Sequence, residues 1–236
     1  MKHLTNILLL LTAILLVSGL YGFAGHRAAR RTLTNSKVIF TDYANPLISE
    51  EQVKDLLNLE GQQDVRIDTL DLHSSEARIL ENELIKRADV SIDLAGNLLT
   101  TIEQRVPVVR IMGASTGYID QDYRLMPLST IHTAHLPLVM GYNKENHAQV
   151  IKLLSFIKDD SYMAGELTQI IIGEDYKVDL RVRTASYAIK LGEVEDLENK
   201  FFNYKAFLAS ITNQQEIDVI RTIDLRFKSQ VITNNN

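Results

Sequence analysis

Residues 90–111 read VSIDLAGNLLTTIEQRVPVVRI, and two strands joined by a tight turn account for them. Residues 90–94 and 98–111 are rich in aliphatic and β-branched side chains, while Ala95-Gly96-Asn97 between them is a turn signal. Working upstream, Ala77, Leu80 and Leu84 fall at helical spacing within a helix expected over 74–87, opened by Ser74. Before it, Ser49 stands where an N-cap belongs, and Val53, Leu56 and Leu57 form the apolar face of a short helix. Lys37-Val38-Ile39-Phe40 reads as a strand ending at a turn over 42–46. The order strand, helix, helix, strand, strand predicts a small α+β unit whose helices cover one sheet face.

Downstream of Met112 strands dominate. Short strands are expected over 118–120 and 136–140, then an amphipathic helix over 147–158 through Val150, Leu153, Leu154 and Ile157. Strands follow over 167–172, 177–183 and 187–191. In the second of these Val178, Leu180 and Val182 alternate with Asp179, Arg181 and Arg183, the period of a sheet wet on one face. A helix over 193–211 carries Val194, Leu197, Phe201, Tyr204, Leu208 and Ile211 on one stripe. The last expected strand is Ile223-Asp224-Leu225-Arg226-Phe227-Lys228, followed by an Asn-rich tail too polar to fold.

At the other end, residues 7–24 contain no charge. As a helix they extend about 27 Å, close to the ~30 Å hydrocarbon core of a bilayer. A transmembrane helix is therefore expected over 4–25, including Leu4, Ile7, Leu16, Gly19, Gly22 and Ala24, between a short tail (1–3) and a linker (26–35). The apolar run exceeds the usual signal-peptide core, which favours an uncleaved anchor over a cleaved leader. Gly19, Gly22 and Gly25 offer small residues to a neighbouring helix. Arg27, Arg30 and Arg31 follow the span, and the positive-inside rule alone would keep that flank cytoplasmic.

The 236 residues carry 25 Lys+Arg against 30 Asp+Glu, a formal net charge of −5. That balance argues against a nucleic-acid partner, which calls for a basic face. With no Cys, disulfides, thiolate metal sites and cysteine nucleophiles are excluded. His132 and His135 lie between Pro127 and Pro137, a loop context that disfavours metal binding. Asp120 and Asp122 share the spacing of one strand face, as an acid/base pair of a cell-wall hydrolase would need, but they read more simply as a polar turn. No phosphate loop, dinucleotide glycine cluster or nucleophile elbow is present. These residues predict no catalytic, metal or cofactor site and shift weight toward a binding protein.

Several motifs recur in a familiar order. They are Gly22-Phe23-Ala24 with Arg27 and Arg30; Leu98 with Thr101-Ile102-Glu103-Gln104-Arg105, Pro107 and Arg110; Tyr118-Ile119-Asp120 before Met126-Pro127-Leu128-Ser129; Leu136-Pro137-Leu138-Val139 with Gly141; and Ile223-Asp224-Leu225-Arg226-Phe227. In this order and spacing the chain resembles the bacterial cell-division FtsQ/DivIB family, most closely its Bacteroidetes form. The resemblance implies a polypeptide-transport-associated (POTRA) domain over 36–112, a mainly antiparallel β domain with flanking helices over 113–232, and a disordered tail over 233–236. It also implies a single-pass type II protein of the inner membrane with its bulk in the periplasm, against the charge bias.

The function so implied is a non-enzymatic scaffold without cofactors that binds FtsB and FtsL and connects to the septal peptidoglycan synthase FtsW/FtsI. In the family FtsB adds as a strand beside the last strands of the β domain, which points here to Ile223, Leu225, Arg226, Phe227, Lys228, Ser229 and Gln230. An alternative use of a POTRA unit is in an export or outer-membrane assembly factor. One departure is Tyr123, which stands where the family's turn has Gly, so positive φ is not freely available there.

Overall fold

The computed structural model describes residues 2–28, 31–41, 46–58, 65–211, 217–227 and 230–235, with the side chains of 2–8 and 24–28 left aside. Most of the expected turn over 42–46 therefore lies outside the described residues. The chain divides into two units, residues 1–104 and 105–236.

The first unit opens with helix α1, Lys2–Ala28, longer at both ends than the expected 4–25. Its described side chains, residues 9–23, include Leu9, Leu15, Leu16, Val17 and Tyr21, all exposed, and a Cβ placed on Gly19 or Gly22 would meet nothing within 4 Å beyond the backbone of α1 itself. Among the described residues no helix is long and apolar enough to cross a membrane. Strand β1 (Asn35–Phe40), helices α2 (Glu50–Leu57) and α3 (Leu72–Leu80), and strands β2 (Ile85–Ile92) and β3 (Asn97–Gln104) follow, the expected strand, helix, helix, strand, strand. The sheet order is β1-β3-β2, with β1 parallel and β2 antiparallel to β3. Val38, Val53, Ile79, Val90, Leu98 and Ile102 form its core.

Helix α2 starts as its sequence predicts. Ser49 accepts from the Gln52 amide at 3.1 Å while the Gln52 side chain accepts from the Ser49 amide at 2.9 Å, a reciprocal capping box. Helix α3 differs from expectation. Its cap is Asp71, whose carboxylate accepts from the Ser74 amide at 3.1 Å, and residues 85–87 belong to β2. The buried stripe is Ser75 and Ile79, while Leu80 is exposed, so the real face is one residue out of step with the expected one.

The expected strand over 98–111 is two strands in two sheets. β3 ends at Gln104, whose side-chain oxygen accepts from the amides of Leu47 and Ile48 at 2.7 and 3.1 Å. Pro107, without an N–H to give a ladder, opens the next strand as Pro does at strand starts. The division between the two units falls after residue 104, at the break between these two strands.

The second unit is a nine-stranded sheet in the order β12-β11-β10-β9-β8-β7-β4-β5-β6. Its strands are β4 (Pro107–Gly113), β5 (Gly117–Asp120), β6 (Leu125–Met126), β7 (Leu138–Tyr142), β8 (Leu167–Ile172), β9 (Val178–Val182), β10 (Ala188–Gly192), β11 (Thr222–Asp224) and β12 (Ile232–Asn234), with helices α4 (His147–Asp159), α5 (Ser161–Glu166) and α6 (Leu197–Ser210) between them. Five of its pairings are antiparallel and three parallel. The expected apolar stripe of α4 is wholly buried. Phe156 of α4 stacks on Phe201 of α6 at 5.2 Å, and the buried hydroxyls of Tyr187 and Tyr204 bond at 2.8 Å, tying α6 to the sheet. The expected polar tail is shorter than predicted, because Ile232–Asn234 pairs with β11.

Candidate partner-binding edge

Strand addition needs an open sheet edge, so the four edges of the two sheets are the places to look. On β2 the outward amide of Val90 is taken by the Glu76 carboxylate at 2.9 Å. On β1 the Ser36 amide is taken by its neighbour Asn35 at 2.8 Å. β6 has two residues and runs straight into Pro127. β12 differs in that all three of its residues are exposed; within the described residues it pairs, like the other edge strands, on one side only, with β11.

The expected partner-binding residues lie around this edge but not in one strand. Ile223 is fully buried in β11, and Leu225 just beyond it is also buried. Both face the core, and β11 is itself covered on both sides by β10 and β12. The edge is therefore one strand further along the chain than the expected 223–228 strand. After Asp224 the chain leaves the sheet. Arg226 folds back so that its guanidinium bonds both Asp224 oxygens, Nε at 2.8 and 3.0 Å and Nη2 at 2.5 Å, and its amide bonds Asp224 at 3.0 Å. The hydrogen bonds from Arg226 hold the Asp224 carboxyl below the usual carboxylate range, against the opposing effect of burial. Phe227 is 49% exposed, and Gln230 is exposed too. Lys228 and Ser229 lie outside the described residues.

Gly192 explains why Arg226 can fold this way. At φ +72 it takes a conformation that favours glycine, and a Cβ there would stand 2.7 Å from Arg226 Cγ, too close to coexist. Arg226 and Gly192 border a cavity of about 320 Å³ with Lys177, Glu193, Asp196 and Lys200. The Lys200 ammonium donates to the carbonyls of Leu191 and Glu193 at 3.0 and 2.7 Å, and burial pulls its pKa down. These groups are bonded to the scaffold, and the cavity reads as bracing for the end of β10.

Elsewhere, the Asp120 carboxyl is engaged from every side. It accepts from Arg105 Nη1 at 2.9 Å and from the amides of Asp122 and Arg124 at 2.9 and 2.8 Å, with its side chain 1% exposed. It is therefore not placed to act on a substrate, and Asp122 sits in the turn beyond β5 rather than on the same strand face. That turn holds Tyr123 at φ 61, so the left-handed conformation that Gly would adopt freely is imposed on tyrosine by Asp120. His132 and His135 lie in a loop, and no group of three or more potential metal ligands occurs among the described residues.

A family model described as FtsQ/DivIB, C-terminal related, matches residues 106–234. The chain belongs to this family. The match starts one residue into the second unit and ends on the last residue of β12, so the short edge strand is inside the family's domain. Comparison with curated proteins finds no match. Eleven solved chains match, among them "POTRA1-2 of the periplasmic domain of Omp85 from Anabaena", at 12% identity over 64% of this chain and 93% of that one with a TM-score of 0.27.

Sequence reasoning missed β12 and the Arg226–Gly192 contact. The signal for β12 was available in Val231-Ile232-Thr233, a β-branched run of the kind strands prefer. The Gly192 contact joins residues remote in sequence and leaves no local trace.

Proposed function

We infer that this FtsQ/DivIB family member is a non-enzymatic scaffold of the bacterial division complex that captures an extended segment of an FtsB-like subunit along β12. The observation that carries this is the contrast among edges: β1 and β2 each have an amide taken by a side chain and β6 is two residues long and runs into Pro127, whereas all three residues of β12 are exposed. In such strand addition main-chain hydrogen bonds give affinity and neighbouring side chains give specificity. Net hydrogen bonds contribute only about 0.5–1.5 kcal/mol each, and β12 has few to give. The exposed apolar side chains Phe227 and Ile232 then supply the anchors a short edge needs.

The reading extends to the membrane. The uncharged run over 7–24 is long enough for a single span, and the described side chains of α1, over 9–23, cover about 22 Å of it with their apolar groups exposed. We take α1 as an inner-membrane anchor that leaves the chain beyond it in the periplasm, where FtsB, FtsL and the septal synthase FtsW/FtsI are reached. Depletion with a complementing fluorescent fusion tests the role. Filaments without septa and signal at midcell support it; normal septation with an outer-membrane assembly defect overturns it in favour of an export or assembly factor.

A further inference from the structure

The most exposed large apolar residue described in the chain is Leu94, at 96%. It stands in the tight turn between β2 and β3, where a soluble turn normally carries polar residues. Its surroundings tie this tip to the stretch that follows α1. The Arg31 guanidinium donates to the Leu94 carbonyl, the Thr34 amide to the Gly96 carbonyl at 2.9 Å, and the Thr34 hydroxyl to the Ala95 carbonyl at 3.2 Å. Arg31 is three residues past Ala28, the last residue of α1, so the two Cα atoms are no more than about 11 Å apart however the chain runs. The hairpin tip is thus held close to the end of α1 by covalent length and by three hydrogen bonds.

We propose that the Leu94 tip docks on the bilayer surface, with Leu94 entering the boundary between headgroups and acyl chains and Arg31 facing lipid phosphate. This rests on the reading of α1 as a membrane anchor. The four helical residues beyond Ala24 and the link to Arg31 keep that arginine within about 17 Å of the hydrocarbon edge, and interfacial apolar groups sit about 5–10 Å into that boundary. A single leucine binds a membrane weakly by itself. Here the anchor makes docking intramolecular, and an effective concentration of about millimolar or more lets a weak contact be populated. The nearby acidic groups do not oppose it strongly: Asp68 is paired with Arg66 at 2.6 Å, and the Asp93 carboxylate accepts from the Asn97 amide and side chain at 2.8 and 2.7 Å. Docking of this tip would fix the direction in which the first unit leaves the membrane.

The chain has no Trp, so Leu94→Trp gives a single fluorescent reporter at a site where no packing is lost. Leu80→Trp is the control, on an exposed residue at the end of α3 beside the start of β2 and thus at the opposite end of that strand from the tip. The full-length variants are reconstituted in phosphatidylethanolamine/phosphatidylglycerol vesicles with brominated acyl chains, and integration is checked by resistance to carbonate extraction. The expected result for Leu94→Trp is a blue-shifted indole that loses about half or more of its emission to bromine, while the indole of Leu80→Trp stays unquenched. Integrated protein in which the tip indole is as wet and unquenched as the control indole overturns the docking while leaving the anchor intact. Protein extracted by carbonate overturns the anchor and the docking together.

Discussion

Replacing Asp120 with Ala should unlock the second unit where its sheet begins. The side chain bonds Arg105 at 2.9 Å and the two amides that hold Tyr123 at φ 61, with the Arg105 and Asp120 side chains 14% and 1% exposed. Removing one member of a buried ion pair leaves the other charge uncompensated, which costs about 3–5 kcal/mol. The amides of Asp122 and Arg124 can turn to water because both residues are exposed, so they add little. Tyr123 then loses the clamp that offsets the roughly 1–2 kcal/mol of its left-handed backbone. Against a typical domain stability of about 5–15 kcal/mol the loss is large but survivable. Urea unfolding, with hydrogen exchange on peptides covering β4 and β5, measures it. Arg105→Met should cost a similar amount, and the double variant less than the sum, with a coupling of about 2 kcal/mol or more. Additive effects, or single losses below about 1 kcal/mol, would refute the claim that this pair organises the turn.

Other outcomes follow from the same structure. Gly141→Ala places a Cβ against the Ile172 carbonyl oxygen of the neighbouring strand at a residue with φ +76, and should lower stability by about 2–4 kcal/mol in urea unfolding. Tyr204→Phe leaves the buried Tyr187 hydroxyl without its 2.8 Å partner and should cost about 1–3 kcal/mol. Asp224 has its pKa lowered from 3.8, chiefly by the Arg226 hydrogen bond. Its contribution is therefore fully present above the unfolded value and is lost as pH falls below about 4 through the folded one. Arg226→Ala should flatten that acid-side loss in stability measured between pH 2 and 6, with little change in slope above it.

Much of this architecture was legible in the sequence because the signals are periodic and local. Val178, Leu180 and Val182 alternate as a half-wet strand should, the α4 stripe is buried as spaced, and Ser49 with Gln52 closes a capping box over three residues. Failures fall where a competing local rule won. Asp71 outcompeted Ser74 as the cap of α3 and shifted its buried face to Ser75 and Ile79. Pro107 and the side chain of Gln104 split one aliphatic run into strands of two different sheets. At the candidate edge, the alternation of Ile223 and Leu225 announces burial, and both side chains are buried. The edge itself is a three-residue strand beside an Asn-rich end, too short for any periodicity, and its one local trace is the β-branched run Val231-Ile232-Thr233.

The central claim is that β12 receives a partner strand. The direct measurement is hydrogen exchange of the full chain with and without an FtsB/FtsL-like complex, read on peptides covering residues 230–235, residues 117–126 and residues 85–92. The account predicts slower exchange in 230–235 alone, and a loss of about tenfold or more in binding affinity with Phe227→Glu. Protection confined to residues 85–92 or 117–126, with 230–235 unchanged by a bound partner, would contradict it.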